Sequence, residues 1–276
     1  MNNLLGKALG VVTLVGLTKV LLDTITFKVE KVTIHTEKLV DSTNLRILQI
    51  SDMHDLKLRS IHKRIIKTVK ELQPNIIVLT GDLIDRRTKD FRSIYSFLDR
   101  LITTNVPIYF VMGNHEWANL RMEAFLTELQ KREIISLSNE NCKIKIRGQH
   151  INLVGVDDAA TEHEDLEMAY SNIDENNYTI LLSHSPYIIN KYPSLTADLV
   201  ISGHTHGGQI RFPIVGAVVS PGEGFFPKLD KGVFAWGKGQ KLYVDSGLGT
   251  STLPIRFLNQ SQISLINIKG TIRNDA

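Results

Sequence analysis

The fold class follows from two stretches, LRILQISDMH at residues 45–54 and IIVLTGDLID at residues 76–85. Each opens with a nearly continuous apolar run, which is typical of a strand buried on both faces. Between them lies a helix that ends before Pro74, because apolar residues recur at helical spacing at Ile61, Ile65, Ile66, Val69 and Leu72. A strand, a helix and a second buried strand predict a parallel β-α-β unit.

The same alternation continues along the chain. Amphipathic helices are predicted at residues 91–102 and 122–129, and buried strands at residues 107–111, 178–182 and 198–201. These elements place the sequence in the α/β class, with a parallel sheet in its first half.

The second half of the chain is richer in strands. Strands are predicted around the turn at Arg147-Gly148-Gln149 and further along the chain, at residues 143–146, 151–156, 241–244 and 263–268. Near the start, the alternation of apolar residues between Val29 and Ile34 predicts an antiparallel strand. No linker, repeat or low-complexity tract divides residues 28–276, so we expect one domain there.

Residues 1–27 form a separate hydrophobic segment, with an apolar run from Ala8 to Leu17 that Lys19 interrupts. A full membrane span needs about 20 consecutive apolar residues, and this run is shorter. No convincing small-residue cleavage site of a secretory signal follows it. We interpret the segment as an uncleaved membrane anchor or interfacial helix, with an ordinary packed terminal helix as the alternative. Lysines on both sides of the run leave its orientation open.

The composition excludes several classes of protein. Lysine and arginine exceed aspartate and glutamate by a net charge of only +3, which does not indicate a nucleic-acid binder. Cys142 is the only cysteine, which excludes an internal disulfide and a thiolate zinc cluster. Any bound metal is therefore held by nitrogen and oxygen, and nothing in the sequence indicates a protein partner.

Each buried strand is followed by a cluster of polar residues. The clusters contain carboxylates, an amide and imidazoles, at Asp52 and His54, Asp82 and Asp85, Asn114 and His115, His184, and His204 and His206. Active sites of open α/β sheets form outside the carboxyl ends of the strands. We therefore expect these clusters to converge on one place.

These side chains have the chemistry of a metal site. Nitrogen and oxygen donors without sulfur suit Mn, Fe, Co, Ni or Zn in five- or six-coordinate geometry, and we favour manganese. Seven of these residues, all except Asp85 and His115, are candidate ligands, which is more than one ion needs. Two divalent ions about 3.5–4 Å apart and bridged by one carboxylate would use all seven. On an extended backbone Asp52 and His54 point the same way and can hold one ion. His204 and His206 repeat that spacing and could hold one ion or one each.

The ordered motifs resemble the signature of the calcineurin-like metallophosphoesterases. They are Asp52-x-His54, Gly81-Asp82-x-x-Asp85, Gly113-Asn114-His115-Glu116, His184 and Gly203-His204-x-His206. The resemblance implies a four-layer α/β/β/α sandwich with two mixed central sheets and a dinuclear metal centre. It also implies the roles of the ligands: one metal on Asp52, His54 and His206, a bridge through Asp82, and the other metal on Asn114, His184 and His204.

The resemblance gives a role to His115, and Asp85 is a candidate for a supporting role. His115 would contact the phosphate or protonate the leaving oxygen. Asp85 would orient a metal-bound histidine or pair with Arg86, and a turn-capping role for Asp85 is an equal alternative.

The C-terminal part is similar to a narrower bacterial branch, the membrane-associated phosphoesterases of the YkuE/YaeI type. The similarity rests on residues 207–211, on Pro221-Gly222-x-Gly224-Phe225-Phe226-Pro227-Lys228, and on Ser246-Gly247-Leu248-Gly249-x-Ser251-x-x-Pro254-x-Arg256. This branch favours the interpretation of residues 1–27 as a membrane anchor.

The activity that the resemblance implies is hydrolysis of a phosphoester P–O bond by in-line attack of a metal-bound hydroxide. Met112 stands where the protein serine/threonine phosphatase branch has a phosphate-binding arginine. The loss of that cation favours a singly charged phosphodiester, for example a lipid- or nucleotide-linked one. A phosphomonoesterase or nuclease of the same fold, and a metal-stabilised scaffold without catalysis, are the alternatives.

Overall fold

A computed structural model describes residues 2–40, 42–54, 56, 59–220, 224–250 and 253–271. Within these residues the polypeptide forms two six-stranded sheets, flanking helices and one helix at the N-terminal end. Of the motif residues quoted above, Pro221, Gly222 and Ser251 lie outside the described residues.

The first sheet carries the predicted β-α-β units. Its strands, in spatial order, are Phe27–Thr36 (β1), Ser261–Gly270 (β16), Asn44–Ile50 (β2), Ile76–Thr80 (β3), Ile108–Val111 (β4) and Ile135–Ser136 (β5). The strands from β2 to β5 are parallel. Crossover helices connect them because parallel neighbours need a long connection: Arg59–Leu72 (α2), Arg92–Ile102 (α3) and Met122–Lys131 (α5). A short helix, Asn114–Trp117 (α4), lies between β4 and α5.

The three helices cover the outer face of this sheet. Their apolar stripes are fully buried, as at Ile65 of α2, Phe97 of α3 and Phe125 of α5, each with 0% of its surface exposed. These side chains pack with Phe110 of β4 in one core cluster. The 3.6-residue period of the sequence thus determines which face of each helix meets the sheet.

The second sheet has parallel strands at its centre and antiparallel strands at both edges. In spatial order the strands are Gly232–Trp236 (β14), Gln240–Val244 (β15), Leu199–Ser202 (β9), Tyr178–Leu182 (β8), Gln149–Gly155 (β7) and Glu140–Ile146 (β6). Its outer face is covered by the short helices Leu166–Ala169 (α6) and Ile188–Lys191 (α7), through the cluster that contains Ala169 and Ile188.

The inner faces of the two sheets pack against each other. Ile47 of β2, Val78 of β3 and Ile266 of β16 share a buried cluster with Ile180 of β8 and Ile201 of β9. The layers therefore run helix, sheet, sheet, helix. This order confirms the predicted four-layer α/β/β/α sandwich with two mixed sheets.

The predicted direction of β1 is wrong. β1 pairs in parallel with β16, from Phe27 beside Ser261 to Thr36 beside Gly270, and β16 is antiparallel to β2. Alternating apolar residues indicate only that one face of a strand is buried. The direction depends instead on the C-terminal strand, which enters the sheet between β1 and β2 from more than 200 residues away.

The segment between β9 and β14 is irregular. It contains a short 3₁₀ turn at His206–Gly208 and two small hairpins, Arg211–Phe212 (β10) with Gly216–Ala217 (β11) and Val219–Ser220 (β12) with Gly224–Phe225 (β13). These hairpins lie beside the carboxyl end of the second sheet, because the 3₁₀ turn follows β9 directly.

The N-terminal helix, Asn2–Ile25 (α1), differs from the other helices. Its stretch from Gly6 to Ile25 has a mean hydropathy of 1.8 and is long and apolar enough, by length and composition, to cross a membrane. Leu9, Leu14 and Leu17 are each more than 60% exposed. The apolar surface of most of this helix is therefore not used in the core.

Truncation of Ile266 tests the packing between the sheets. Ile266→Ala should lower the free energy of unfolding by about 2–5 kcal/mol, because it leaves a cavity between two β-sheets. Val233→Ala, at a side chain that is 47% exposed on β14, is the matched control and should change it little. The measurement is urea unfolding followed by circular dichroism. Equal, small effects of both substitutions would contradict the described core.

Candidate metal centre

The carboxyl ends of both sheets meet at one edge of the molecule. The Asp52 N–H donates to the Gly81 carbonyl at 3.1 Å, and the Gly203 N–H donates to the His184 carbonyl at 3.0 Å, so neighbouring strand ends are directly bonded. The buried amide of Gln49 donates to Thr80 Oγ1 and to the Ser202 carbonyl, both at 2.8 Å. This amide joins the end of the first sheet to the end of the second.

Most of the candidate ligands have an unusual backbone conformation. Left-handed φ angles between 48° and 73° occur at Asp52, His54, Asp82, His204 and His206. This conformation costs a non-glycine residue roughly 1–2 kcal/mol, and such strain concentrates at functional sites. Here it turns each side chain sharply out of its strand and toward the same space.

Two glycines make room for the carboxylates. A Cβ atom on Gly113 would lie 2.3 Å from Asp82 Oδ1, and one on Gly203 would lie 2.4 Å from Asp52 Oδ2. Both distances are far below van der Waals contact. The glycines before Asn114 and His204 are therefore required by the positions of the two aspartates.

One group of three side chains consists of Asp52, His54 and His206. Nε2 of His54 lies 3.0 Å from Nε2 of His206, and the latter lies 3.6 Å from Asp52 Oδ1. The two rings are stacked, with their centroids 4.9 Å apart. One cation could be held by these three donor atoms.

A second group consists of Asp82, His184 and His204, with Asn114 beside it. His184 Nε2 lies 3.3 Å from Asp82 Oδ2 and 3.1 Å from His204 Nδ1, which in turn lies 3.1 Å from Asn114 Oδ1. Nδ1 of His184 donates to the Thr80 carbonyl at 2.8 Å. That hydrogen bond keeps Nε2 directed at the other donors.

Asp82 lies between the two groups. Its Oδ2 atom is 3.3 Å from His184 Nε2 in one group and 3.8 Å from His54 Nε2 in the other. Its Oδ1 atom accepts the N–H of His115 at 2.9 Å, which fixes the rotation of the carboxylate. A single carboxylate thus faces both groups.

Burial controls the protonation of the histidines. Burial lowers the pKa of His54 to about 4 and that of His204 to about 3, so both imidazoles are neutral near pH 7. Burial also opposes protonation of His184, but the Asp82 carboxylate outweighs it and raises the pKa of His184 well above its usual value. Burial raises the pKa of Asp52, and so does the negative charge of Asp82, whereas the neighbouring His184 lowers it. The resulting pKa of Asp52 is about 7.

The donor set fits two divalent cations. Imidazole nitrogens converge in two pairs about 3 Å apart, His54 with His206 and His184 with His204. A divalent cation accepts lone pairs from several donors at once. Nitrogen, carboxylate and amide donors without sulfur match the sequence-based expectation of a dinuclear site.

His115 and its neighbours lie at the edge of this cluster. His115 Nε2 is 4.0 Å from Asp82 Oδ2, and its Nδ1 pairs with Asp85 Oδ2 at 2.9 Å. Arg86 Nη2 approaches His115 Nε2 to 3.3 Å. Asp85 also accepts the Arg87 N–H at 2.8 Å, so it combines a contact to His115 with a turn-capping role. The structure places Asp85 against His115 and Arg87, and its predicted pairing with Arg86 is not among the described ion pairs.

Glu116 holds two of the metal-site loops together, a role that the sequence analysis missed. Its carboxylate is fully buried and accepts four backbone N–H groups: those of Asp82, Leu83, Ile84 and Gly113, at 2.7–3.2 Å. The only sequence signal was its position directly after His115. Its four hydrogen bonds connect chain segments 30 residues apart, which local sequence does not reveal.

Arg256 and Asn259 support the loop that carries His206. Arg256 is completely buried and donates to the His206 carbonyl at 3.3 Å, to the Ser246 carbonyl at 2.6 Å and to the Gly249 carbonyl at 2.6 Å. The Asn259 amide donates to the same His206 carbonyl at 2.7 Å. Arg256 was visible in the sequence only as part of the C-terminal motif, without a role.

A cavity of about 460 Å³ opens in front of these side chains. Its lining includes four of the candidate ligands, together with His115, Arg86 and Arg87, and the apolar residues Val219 and Leu253. Met112 does not line it, because its side chain is buried in the core under the first sheet. Two other cations, Arg86 and Arg87 of the loop after β3, line the cavity.

Comparison with known proteins agrees with this geometry. Residues 45–208 match the family described as calcineurin-like phosphoesterase. An uncharacterized metallophosphoesterase of Aquifex aeolicus (strain VF5) is 33% identical over 90% of this chain and 94% of its own length. The uncharacterized metallophosphoesterase YkuE of Bacillus subtilis (strain 168) is 29% identical over 82% of this chain and 79% of its own. A transmembrane protein with a metallophosphoesterase domain from Danio rerio is 31% identical over 88% of this chain and 57% of its own.

A four-layer sandwich with carboxylates and imidazoles at the shared edge of its sheets defines a metal-dependent phosphoric ester hydrolase. The chain belongs to the calcineurin-like phosphoesterase family. Its substrate is therefore a phosphoester, and the predicted family and enzyme class are confirmed.

Replacement of the Glu116 carboxyl group tests the support of the metal site. Glu116→Gln places an amide NH₂ against backbone N–H donors, so the loops of Asp82 and Gly113 should move apart. Affinity for Mn²⁺, measured by calorimetric titration, should fall by about 10–100-fold. Glu123→Gln, on the exposed face of α5, should leave the affinity unchanged. Equal affinities of the two variants would contradict the role of Glu116.

Proposed function

We propose that this protein is a phosphodiesterase with a dinuclear metal centre, anchored to a membrane by its N-terminal segment. In this proposal one ion would be held by Asp52, His54 and His206, and the other by Asn114, His184 and His204. The carboxylate of Asp82 would serve both. The observation that carries the proposal is that a single oxygen, Oδ2 of Asp82, faces donors of both groups at 3.3 and 3.8 Å. Mn²⁺ is the favoured ion because it accepts carboxylate and amide oxygens together with imidazole.

The bound ions would activate a water nucleophile and neutralise the charge that develops on the phosphoryl oxygens. The protein groups then have separate tasks. Arg86, which lines the cavity beside His115, would bind a phosphoryl oxygen and orient the ester for in-line attack. His115 would donate a proton from Nε2 to the leaving oxygen, while Asp85 at Nδ1 keeps the ring in that orientation.

The size of the cavity supports a diester. A diester has a second substituent, which a monoester lacks and which needs space. The part of the cavity lined by Val219 and Leu253 offers that space. Its apolar character favours a lipid-linked substituent over a nucleotide-linked one, because apolar groups bind favourably to apolar walls.

Membrane anchoring is supported by the helix itself. The stretch from Gly6 to Ile25 has the length and composition of a membrane-crossing helix, and only 6% of it is buried in the protein. The similar protein from Danio rerio is named as a transmembrane protein. We propose a division into an anchor of residues 1–27 and a metallophosphoesterase domain of residues 28–276.

Replacement of the bridging carboxylate tests the proposed centre. Asp82→Asn should lower hydrolysis of bis-p-nitrophenyl phosphate by about a thousandfold or more, because several kcal/mol of transition-state stabilisation depends on the paired ions. Asp99→Asn, at an exposed aspartate of α3, is the control and should keep full activity. The assay uses added Mn²⁺. An active Asp82→Asn variant would refute the bridging role.

Removal of the His115 side chain separates proton transfer from metal binding. His115→Ala should keep its metal content, since the backbone N–H to Asp82 remains. The substitution should lower the rate of hydrolysis of diesters with poor alkoxide leaving groups by about 10²–10⁴-fold. Esters of p-nitrophenol, which need no protonation, should be affected far less, and His150→Ala should affect neither. A uniform slowdown across a series of leaving groups would count against a general acid.

A further inference from the structure

Exposed apolar side chains form a rim beside the mouth of the metal-site cavity. They belong to the two hairpins after β9 and to the segment before β16: Ile214 (107% exposed), Val215 (56%), Phe225 (75%), Phe226 (63%), Leu253 (49%) and Ile255 (36%). Side chains of this size are normally buried, and a contiguous apolar patch indicates an interaction surface. Leu253 belongs to the cavity wall as well as to the rim.

Backbone hydrogen bonds hold the three segments of the rim together. The Phe226 N–H donates to the Val218 carbonyl at 2.9 Å, and the Arg211 N–H donates to the Phe257 carbonyl at 3.0 Å. The Gln209 amide donates to the carbonyls of Leu253 and Ile255 at 2.7 and 3.1 Å. The rim is therefore one surface and not a set of independent loops.

The end of α1 is attached to the same surface. Thr24 Oγ1 accepts the Arg256 N–H at 2.9 Å, and Asp23 Oδ2 accepts the Asn259 N–H at 3.3 Å. The Gln260 amide donates to Thr26 Oγ1 at 2.6 Å. The point at which the chain leaves α1 is thus beside Ile255.

The last turns of α1 carry apolar side chains that the domain does not cover. Leu21 is 56% exposed, Leu22 48% and Ile25 42%, although Asp23 between them is buried against the domain. Lys19 pairs with Asp23 at 2.6 Å, which compensates its charge. A single apolar environment around α1 would cover both these turns and the adjoining rim.

The length of α1 indicates how deeply this end must lie. Only 11 residues separate Lys7 from Lys19, and they span about 17 Å of helix axis. The hydrocarbon core of a bilayer is about 30 Å thick, so the turns beyond Lys19 are needed to approach its far side. Because those turns are attached to the domain, they bring the rim to the bilayer surface.

A basic side chain, Arg64, lies close to the end of α1. Arg64 of α2 is exposed, stacks on the Phe27 ring at 4.6 Å and donates to the Phe27 carbonyl at 3.1 Å, two residues after the end of α1. Anionic headgroups of a bilayer attract basic side chains at this level. The charge therefore complements a lipid surface.

We propose that the rim docks onto the surface of the bilayer that holds α1, so that the cavity opens at the level of the lipid headgroups. This inference rests on the proposed membrane anchoring. The rim would contact lipid, because it adjoins the exposed apolar surface of α1, which lipid would surround. Arg256 lies in the docked segment and bonds to the His206 carbonyl, so the docked surface is also part of the support of the metal site.

Site-directed fluorescence labelling of the full chain tests the docking. In a Cys142→Ser background, an environment-sensitive NBD label is attached at Ile214→Cys or Phe226→Cys. Leu14→Cys reports the depth of α1, and His150→Cys, exposed near the amino end of β7 and therefore at the end of the second sheet away from the metal site, is the control. Each protein is reconstituted in phosphatidylcholine–phosphatidylglycerol nanodiscs with and without lipids that carry a nitroxide quencher.

Docking predicts that labels at positions 214 and 226 shift to shorter emission wavelength and lose most of their fluorescence to the quencher, whereas the label at position 150 does neither. Rim labels that stay in water overturn the proposal, and so does equal quenching at position 150. Quenching of the label at position 14 tests separately whether α1 lies in the bilayer. A quenched label at position 14 together with rim labels in water would support the anchor and refute the docking. Hydrolysis of bis-p-nitrophenyl phosphate by the same samples tests the phosphodiesterase proposal independently.

Discussion

The structure depends on the concentration of buried carboxyl groups at the junction of the two sheets. Asp52, Asp82 and Glu116 are each at most 1% exposed and lie within three neighbouring strand ends. Carboxylates cannot be brought this close in a medium of low dielectric constant without compensation. Backbone N–H groups satisfy Glu116, and imidazoles face the two aspartates. The left-handed ligand residues and the glycines beside them follow from the need to aim these groups at one small volume.

A fourth buried carboxylate shows what distinguishes the metal site. Asp245 also follows a strand, β15, but it accepts the Gly247 N–H at 2.5 Å and the Gln262 amide at 3.0 Å. Its oxygens are used by neutral donors within the protein. Oδ2 of Asp82, in contrast, faces only imidazole nitrogens of the described side chains, at 3.3–4.0 Å. Asp245 and Asp82 both follow the end of a strand. Their hydrogen-bond partners differ, and this difference determines which carboxylate is available to bind a cation.

The sequence predicted what is encoded locally and missed what depends on distant contacts. Strand-end clusters such as the one at Asp52 were identifiable because apolar runs and polar termini are adjacent in the chain. The parallel partner of β1, the four hydrogen bonds of Glu116 and the carbonyl contacts of Arg256 join segments far apart in the chain. Position 112 shows a related limit. The motif indicated a missing cation there, but the side chain is directed into the core, and Arg86 occupies the cavity instead.

The chain from Leu253 to Asn259 connects two environments that are usually separate in an enzyme. Its apolar side chains face outward beside the end of α1, while Arg256 and Asn259 face inward and bond to the carbonyl of His206. Burial lowers the pKa of Arg256 to about 10, so the guanidinium remains charged near neutral pH and keeps its backbone partners. A charged group that is completely buried has no water to replace those partners, which makes the connection stiff. Arg256 and Asn259 therefore connect the outer surface directly to the backbone of a histidine at the metal centre.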